Sequence, residues 1–277
     1  MKPPGPKIND RPVRVPDIQH KKQRGEKISM LTAYDAAMAR LLDQAGLDIL
    51  LVGDSLGMVM LGYETTLNVT MDDMVRHTSA VRRGASRALV VADLPFLSYQ
   101  VTVEDALRNA GRLLQEGAAG AVKLEGGRSV CPAVQRLVSA GMPVMGHLGL
   151  TPQSFHQLGG FRRQATHPAE AEALLEDANA LQDAGAFSVV LECIPDDLAR
   201  QVTAQLRIPT IGIGSGPHCD GQVLVIHDLL GLSGPSTPPF AKRYANLGDA
   251  IVKAASAFHQ DVRTGGFPLA AEKEPTS

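Results

Sequence analysis

Five segments of the chain share one pattern, in which an apolar run ends on an ionisable residue and is followed by a turn. These segments read DILLVGDS, ALVVADLP, GAVKLEGG, VMGHLG and SVVLECIP. An apolar run of about four to eight residues between turn signals predicts a buried strand. Because an isolated ionisable group at the end of a buried strand is costly, the repeated pattern predicts that several strands bring polar groups to one site.

Predicted helices alternate with the predicted strands along the chain. The strands are expected at residues 28–32, 48–52, 89–93, 120–124, 144–147, 188–192, 210–213 and 223–226. Helical patterns cover 36–45, 103–116, 132–140, 168–184, 196–206 and about 248–262, and a capping box of Thr70 and Asp73 precedes one more. Strands that alternate with helices indicate a parallel sheet. Eight such units in 277 residues predict an α/β fold, the (β/α)8 TIM barrel, in a single domain.

An open, doubly wound sheet is the alternative to a closed barrel. In an open sheet the chemistry concentrates at one switch point, whereas five successive strands here carry ionisable ends. Only closure of the sheet brings five such ends together, so we favour the barrel. We expect it to span residues 13–268, with disordered tails at 1–12 and 269–277, where the composition is poor in apolar residues.

Composition argues against several classes of function. The net charge is −2 and the pI is near 6.4, so the chain gives no electrostatic case for binding nucleic acid or an anionic membrane. The N-terminal segment MKPPGPKINDRP has no apolar stretch of the kind found in a secretory signal, and no apolar run is long enough for a transmembrane helix. Three cysteines without paired spacing favour a cytoplasmic location.

The ionisable strand ends are expected to face the mouth of the barrel together. Residues two apart on a strand share a face, so Lys123 and Glu125 point the same way and Leu124 points outward. Active sites of such barrels lie at the C-terminal ends of the strands. The residues predicted to meet there are Asp54, Asp93, Lys123, Glu125, His147 and Glu192.

An excess of carboxylates over lysine predicts a metal site at this mouth. Like charges raise each other's pKa, so the carboxylates cannot all stay ionised without a cation. Oxygen ligands without a cysteine or histidine cluster favour one Mg²⁺ per subunit, with Mn²⁺, Co²⁺ or Zn²⁺ also able to bind. The best ligand set is Asp54, Asp93 and Glu125. The alternative is that these acids form structural ion pairs with Lys123 and with helix N-termini.

The other polar residues have candidate roles in catalysis or substrate binding. Glu192 is not needed as a ligand and suits a general base, the alternative being a capping or salt-bridged acid. Lys123 suits an anionic substrate or a Schiff base. His147 is either a structural hydrogen-bond donor or an additional substrate contact. Ser55 offers a hydroxyl beside Asp54, in a turn whose backbone N–H groups could bind a carboxylate.

Many motifs in order resemble the ketopantoate hydroxymethyltransferase family, from about residue 16 to residue 268. They include MLTAYD (30–35), DILLVGDSLGMVMLGYETT (48–66), VVADLPF (90–96), AVKLEGG (121–127), GHLGLTPQS (146–154), VVLECIP (189–195) and IPTIGIGSG (208–216). The resemblance implies transfer of a hydroxymethyl group from 5,10-methylenetetrahydrofolate to 3-methyl-2-oxobutanoate, in pantothenate biosynthesis. It further implies Mg²⁺ as cofactor and a homo-oligomer, a homodecamer.

The resemblance also assigns roles to individual residues. It implies the metal ligands Asp54, Asp93 and Glu125, the 2-oxo acid contacts Asp54, Ser55, Asp93 and Lys123, and the proton acceptor Glu192. Our hypothesis is that Glu192 removes the C3 proton of the metal-chelated acid and that the enolate attacks the one-carbon unit. Departures from the family pattern occur at Asn68, Ser215 and residues 217–219, away from these positions.

Two other functions remain open from the sequence. A Mg²⁺-dependent lyase or mutase of the isocitrate lyase and phosphoenolpyruvate mutase type also combines a barrel with a 2-oxo acid, and it needs no folate. A barrel kept as an assembly or ligand-binding module would bind the acid without turnover. The complete set of acids and lysine disfavours the module.

Overall fold

Eight parallel strands close into a barrel in their order along the chain in the computed structural model, which describes residues 11–234 and 237–268. The strands are β1 (Ile28–Thr32), β2 (Ile49–Val52), β3 (Leu89–Asp93), β4 (Ala121–Glu125), β5 (Val144–Gly149), β6 (Ser188–Glu192), β7 (Thr210–Ile213) and β8 (Gly221–Leu224). Each pairs with the next, and β8 pairs with β1. The predicted (β/α)8 barrel is confirmed, and the open sheet is wrong.

The last strand lies two residues before its predicted position. It begins at Gly221, which pairs with Ile28 of β1, and it ends at Leu224. A Cβ atom at Gly221 would lie 2.5 Å from the carbonyl oxygen of Ile28, so only glycine allows the two strands to approach this closely. In a sequence, a glycine is more typical of a turn than of a strand. The apolar pattern therefore predicted that the strand begins only at residue 223.

Helices lie between the strands along the chain, before β1 and after β8. They are α1 (Val15–Gln23), α2 (Ala36–Gln44), α3 (Leu56–Val59), α4 (Met71–Gly84), α5 (Val103–Gln115), α6 (Cys131–Ser139), α7 (Phe155–Leu158), α8 (Pro168–Asp183), α9 (Asp196–Gln205), α10 (Ile226–Leu230) and α11 (Leu247–Thr264). The predicted capping box is present, since Asp73 N–H donates to Thr70 Oγ1 at 3.2 Å and Thr70 N–H donates to Asp73 Oδ2 at 3.1 Å. None of the helices in the described ranges is both long and apolar enough to span a bilayer.

Helix α1 was not predicted, because only one of its residues, Ile18, is buried and no apolar stripe marks it. Ile18 is fully buried in the apolar cluster inside the barrel, beside the first residues of the strands. The predicted tails lie outside the described residues, apart from Arg11 and Pro12. Arg11 forms an ion pair with Asp17 of α1, and the predicted domain bounds stay a prediction.

The chain divides into two compact units, and the whole barrel belongs to the first. The first unit ends at Val225, and the second begins at Ile226 with α10. Within the second unit, the backbone N–H of Tyr244 donates to the carbonyl of Leu229 at 2.9 Å. Helix α11 of this unit ends at Thr264 and is followed by Gly265, whose left-handed conformation (φ 76°) suits a glycine.

Alternation along the strands separates an apolar interior from a polar mouth. Val91, Ala121, Met145 and Val190 belong to the apolar cluster in the interior. Two residues further along each strand, on the same face, come the polar residues Asp93, Lys123, His147 and Glu192. The alternation that fills the core therefore also orients the site.

Candidate active site

The structure brings every predicted site residue to one cavity of about 100 Å³ at the C-terminal ends of the strands. Strand register places Asp93 beside Lys123, and Glu125 beside His147. The residues that line the cavity include Asp54, Ser55, Asp93, Lys123, Glu125, His147 and Glu192.

Lys123 and Asp93 form a buried ion pair at the centre of the site. Lys123 Nζ lies 2.9 Å from Asp93 Oδ1, and the two side chains are only 5% and 4% exposed. Burial opposes the charge on Lys123, but the carboxylates of Asp93, Glu125 and Asp54 outweigh burial and raise its pKa. The lysine is therefore an ammonium ion at neutral pH.

Asp54 is a further buried acid beside this ion pair. It follows β2, and its backbone N–H donates to Asp93 Oδ2 at 3.1 Å. Burial, and then the neighbouring carboxylates of Asp93 and Glu125, raise the pKa of Asp54 well above its ordinary value. Burial also raises the pKa of Asp93, although Lys123 opposes this effect. The site thus holds more buried carboxylates than its one ammonium ion can balance.

His147 connects Glu125 with Glu192. Its Nδ1 atom lies 3.4 Å from Glu125 Oε1 and 3.2 Å from Lys123 Nζ, and its Nε2 atom lies 3.1 Å from Glu192 Oε2. Burial and the Lys123 charge lower the pKa of His147, but the contacts with Glu125 and Glu192 outweigh them and raise it to about 9. His147 therefore contacts the candidate base, a contact that the sequence did not predict.

Ser55 contacts Tyr34, a residue that the sequence did not predict at the site. The hydroxyl groups of Ser55 and Tyr34 lie 2.9 Å apart. Tyr34 is buried at the start of the loop after β1, and burial raises the pKa of its hydroxyl, which therefore stays neutral. It lies in the MLTAYD motif, where a tyrosine among apolar residues gives no signal of a site.

Gln153 and Tyr99 form hydrogen bonds with the acids of the site, Asp54 and Glu125. Gln153 Nε2 donates to Asp54 Oδ2 at 2.9 Å, and its backbone N–H donates to Glu125 Oε2 at 3.0 Å. The Tyr99 hydroxyl accepts a hydrogen bond from the backbone N–H of Glu125 at 3.0 Å. Both residues are buried. Their residue types suggest no chemistry, and only the GHLGLTPQS motif included Gln153.

The donor set of the site suits a hard cation, although it is not a closed cage. Three buried carboxylates with surplus negative charge are the ligands that Mg²⁺ prefers. In the part of the chain that the structure describes, no three His, Cys, Asp or Glu side chains are arranged to hold a metal ion by themselves. A cation here would therefore need oxygens from water or from a ligand, as Mg²⁺ commonly does.

Comparison with known proteins gives one consistent family. The sequence model of the family described as ketopantoate hydroxymethyltransferase matches residues 12–270. A 3-methyl-2-oxobutanoate hydroxymethyltransferase of Moorella thermoacetica is 60% identical over 256 residues, which cover 92% of this chain and 95% of that protein. The enzyme of that name from Thermosynechococcus vestitus is 59% identical, with coverage of 93% and 99%.

Solved structures share the fold at low sequence identity. A phosphonopyruvate hydrolase in complex with oxalate and Mg²⁺ has a TM-score of 0.61 at 11% identity, and the match covers 95% of this chain and 92% of that one. A 2,3-dimethylmalate lyase, a member of the PEP mutase/isocitrate lyase superfamily, has a TM-score of 0.59 at 18% identity, with coverage of 94% and 91%. At such identities the likeness concerns the fold alone.

Proposed function

We propose, since this chain belongs to the ketopantoate hydroxymethyltransferase family, that it transfers a hydroxymethyl group from 5,10-methylenetetrahydrofolate to 3-methyl-2-oxobutanoate. The product would be 2-dehydropantoate, a precursor of pantothenate. Family membership makes the chain a transferase, so the non-catalytic module is wrong. The observation that carries the proposal is the surplus of buried carboxylates around Lys123, in one cavity with Glu192.

Asp54, Asp93 and Glu125 would hold one Mg²⁺ in this proposal. Their surplus negative charge supports a cation, and their oxygen atoms support a hard one. When bound, such an ion would polarise the keto group of the substrate as a Lewis acid and so acidify its C3 proton.

Lys123 and Ser55 would bind the oxygens of the 2-oxo acid. The carboxylates that raise the pKa of Lys123 keep it protonated, and a protonated amine cannot attack a carbonyl group. This favours charge stabilisation of the substrate and its enolate over the Schiff base. Ser55 is held by Tyr34 at 2.9 Å, so its hydroxyl is oriented before the substrate binds.

Glu192 would remove the C3 proton. Its side chain is 16% exposed, more than that of any of the other carboxylates in the site, and no lysine of the described residues forms an ion pair with it. The C–H bond would break, its proton would move to the Glu192 carboxylate, and its electron pair would form the enolate. The enolate carbon would then bond to the one-carbon unit, whose C–N bonds to the folate break, so that tetrahydrofolate leaves and water supplies the hydroxyl oxygen of the product. His147 Nε2 lies 3.1 Å from Glu192 Oε2 and would hold the base in place. A general base of this kind contributes about 10²–10⁴-fold to the rate.

A 2-oxo acid lyase or mutase is the alternative function. It has only likeness of fold in its favour, at 18% identity to the dimethylmalate lyase. The relatives named as hydroxymethyltransferases are 60% identical. We therefore prefer hydroxymethyl transfer.

One assay separates the two functions. The protein is incubated with 3-methyl-2-oxobutanoate, 5,10-methylenetetrahydrofolate and Mg²⁺, and 2-dehydropantoate is followed by mass spectrometry. Product that requires both the folate and the metal supports the proposal, and EDTA should abolish its formation. Failure to form 2-dehydropantoate, together with folate-independent cleavage of 2-oxo acids, would contradict it.

We also propose a homo-oligomer, a homodecamer as the family resemblance implies, and a cytoplasmic location. Exposed apolar side chains on α11 support assembly of copies. The cysteines Cys131, Cys193 and Cys219 are all free, which supports a reducing compartment.

A further inference from the structure

Gln153 contacts two of the carboxylates that we propose as metal ligands. It lies in a short 3-10 helix, Pro152–Ser154, after β5, and it is only 6% exposed. Its side-chain amide donates to Asp54 Oδ2 at 2.9 Å, and its backbone N–H donates to Glu125 Oε2 at 3.0 Å. One residue thus fixes one oxygen of each carboxylate.

The orientation of the Gln153 amide is determined by its other partners. Its nitrogen also lies 2.9 Å from the carbonyl oxygen of Leu94, which can only accept a hydrogen bond. Its oxygen lies 2.8 Å from the Tyr99 hydroxyl and 3.0 Å from Gln100 Nε2. A flipped amide would set its oxygen against two acceptors, so the nitrogen must face Asp54.

We propose that Gln153 is a positioning residue for the cation site. By occupying Asp54 Oδ2 and Glu125 Oε2, it leaves Asp54 Oδ1 for a cation in the cavity, whereas Glu125 Oε1 lies 3.4 Å from His147 Nδ1 and would be shared between His147 and the cation. No hydrogen bond within the described residues reaches Asp54 Oδ1. This inference rests on the proposed function, because it assumes that Asp54 and Glu125 are ligands.

A purely structural role is the competing explanation. The contacts of Gln153 with Leu94, Tyr99 and Gln100 join two loops, and their loss alone would lower stability without changing metal binding. Groups that orient metal ligands have a different signature, since their loss commonly weakens metal affinity by about 10–100-fold. Metal affinity and stability must therefore be measured separately.

The test compares Gln153→Met with the parent protein. Methionine keeps the size of the side chain and removes its donors and acceptor. We expect the Kd for Mn²⁺, measured by calorimetry without substrate, to rise about 10–100-fold, and the EPR spectrum of bound Mn²⁺ to change. The Tm of the metal-free protein records any structural effect. If Gln153→Met does not fold, Gln153→Asn, which is too short to reach both Asp54 and Leu94, takes its place.

The matched control is Gln100→Met. Gln100 Nε2 donates to Gln153 Oε1 at 3.0 Å, and the substitution removes this hydrogen bond between the two loops. Gln100 makes no hydrogen bond to Asp54 or Glu125 within the described residues, so the carboxylates keep their contacts. We expect its Kd for Mn²⁺ to stay within about twofold of the parent. A Gln153 variant that binds Mn²⁺ as the parent does, even if its Tm falls, would overturn the positioning role.

A second control separates this inference from the proposed function. Asp54→Asn should abolish Mn²⁺ binding if the carboxylates hold the ion. Should the parent itself fail to bind Mn²⁺, or bind it independently of Asp54, the metal site of the proposed function is wrong and the inference falls with it. Parent binding that depends on Asp54 but not on Gln153 overturns the inference alone.

Discussion

At the residue scale, the affinity of the site for a cation depends on which of its ionisable side chains already form ion pairs. Lys123 is paired with Asp93 at 2.9 Å, whereas the Asp54 carboxylate has a glutamine amide as its partner and no cation. Burial makes this imbalance costly. The same low polarity strengthens any cation–carboxylate interaction formed there, so the site is poised for a positive ligand.

Replacing Glu192 by glutamine tests the proton transfer. Glu192→Gln keeps the shape of the side chain but removes its basicity, so exchange of the C3 proton of 3-methyl-2-oxobutanoate in deuterated water should slow by about 10²–10⁴-fold. NMR follows the exchange with Mg²⁺ present. The control is Glu172→Gln, at an exposed position of α8, which should exchange normally. Exchange that is unchanged in Glu192→Gln removes Glu192 from the role of base.

A substitution at Gly149 tests whether close packing of the β5 and β6 backbones determines the position of Glu192. It has φ 92°, and a Cβ atom there would lie 2.2 Å from the carbonyl oxygen of Glu192. Gly149→Ala should therefore displace the end of β6, lower transfer activity by at least about tenfold, and destabilise the fold by about 1–3 kcal/mol. Steady-state kinetics and urea unfolding measure the two effects.

Gly141→Ala is the matched control for Gly149. Gly141 has a similar backbone conformation, φ 84°, but no atom lies within 4 Å of the position of a Cβ. It should lose stability through backbone strain alone and keep its activity. Equal activity losses in the two variants would show that the contact with Glu192 is irrelevant.

At the element scale, a carboxylate on α2 fixes the start of β3. Asp43 accepts hydrogen bonds from the backbone N–H groups of Ser86, Arg87 and Ala88, at 2.9, 3.0 and 2.7 Å. Burial raises the pKa of Asp43, but these backbone hydrogen bonds outweigh burial and lower it. The contact therefore depends on pH, and it favours folding when the carboxylate is ionised.

The sign of this pH dependence is testable. A carboxylate whose pKa falls on folding stabilises the protein above its unfolded pKa of about 3.9, and this contribution is lost as pH falls through the folded pKa. Because Asp43 is partly exposed, we expect Asp43→Asn to lower the free energy of unfolding by only about 1 kcal/mol at pH 7. The difference from the parent should shrink below about pH 4, as measured by urea unfolding. A constant difference at all pH values would contradict the assignment, and Asp197→Asn, on the surface, is the control.

Helix α1 contributes to the core through one side chain. Ile18 is 0% exposed in the apolar cluster inside the barrel. Ile18→Ala should lower the free energy of unfolding by about 2–5 kcal/mol, whereas Leu41→Ala, 57% exposed on α2, should change it by less than about 0.5 kcal/mol. Chemical denaturation of both variants decides whether α1 is part of the cooperative core.

At the scale of the whole molecule, the features that repeat in every strand–helix unit can be predicted from the sequence, whereas features that occur only once in the chain cannot. Alternating apolar positions predict the strands, and their ionisable ends predict Asp93, Lys123 and Glu192 at the mouth, because one register applies to every unit. Gln153 occurs once, in a loop, and its role comes from partners that are distant in the chain. The same holds for α1, whose single buried residue leaves no pattern.

Assembly is the prediction that belongs to the whole molecule. Helix α11 exposes Ile251, Val252, Phe258 and Val262, between 50% and 66% each. An exposed apolar face of this kind commonly marks a protein interface, so sedimentation velocity should give an oligomer, ten times the 29.4 kDa chain mass for a decamer. Ile251→Asp, on the side of α11 that also carries Phe258 and Val262, should reduce the assembly, and a monomer for the parent at all concentrations would refute the proposal.

Ile18 and the other members of the apolar cluster fill the interior of the barrel below the site with hydrocarbon, so we expect ligands to enter the cavity from the mouth. A ligand that binds deep in the cavity must then bind before any ligand nearer the mouth, and it must dissociate after that ligand. In the proposed reaction the small keto acid would lie deepest and the much larger folate would bind second. A filled barrel base would then impose an order of binding that no catalytic side chain determines.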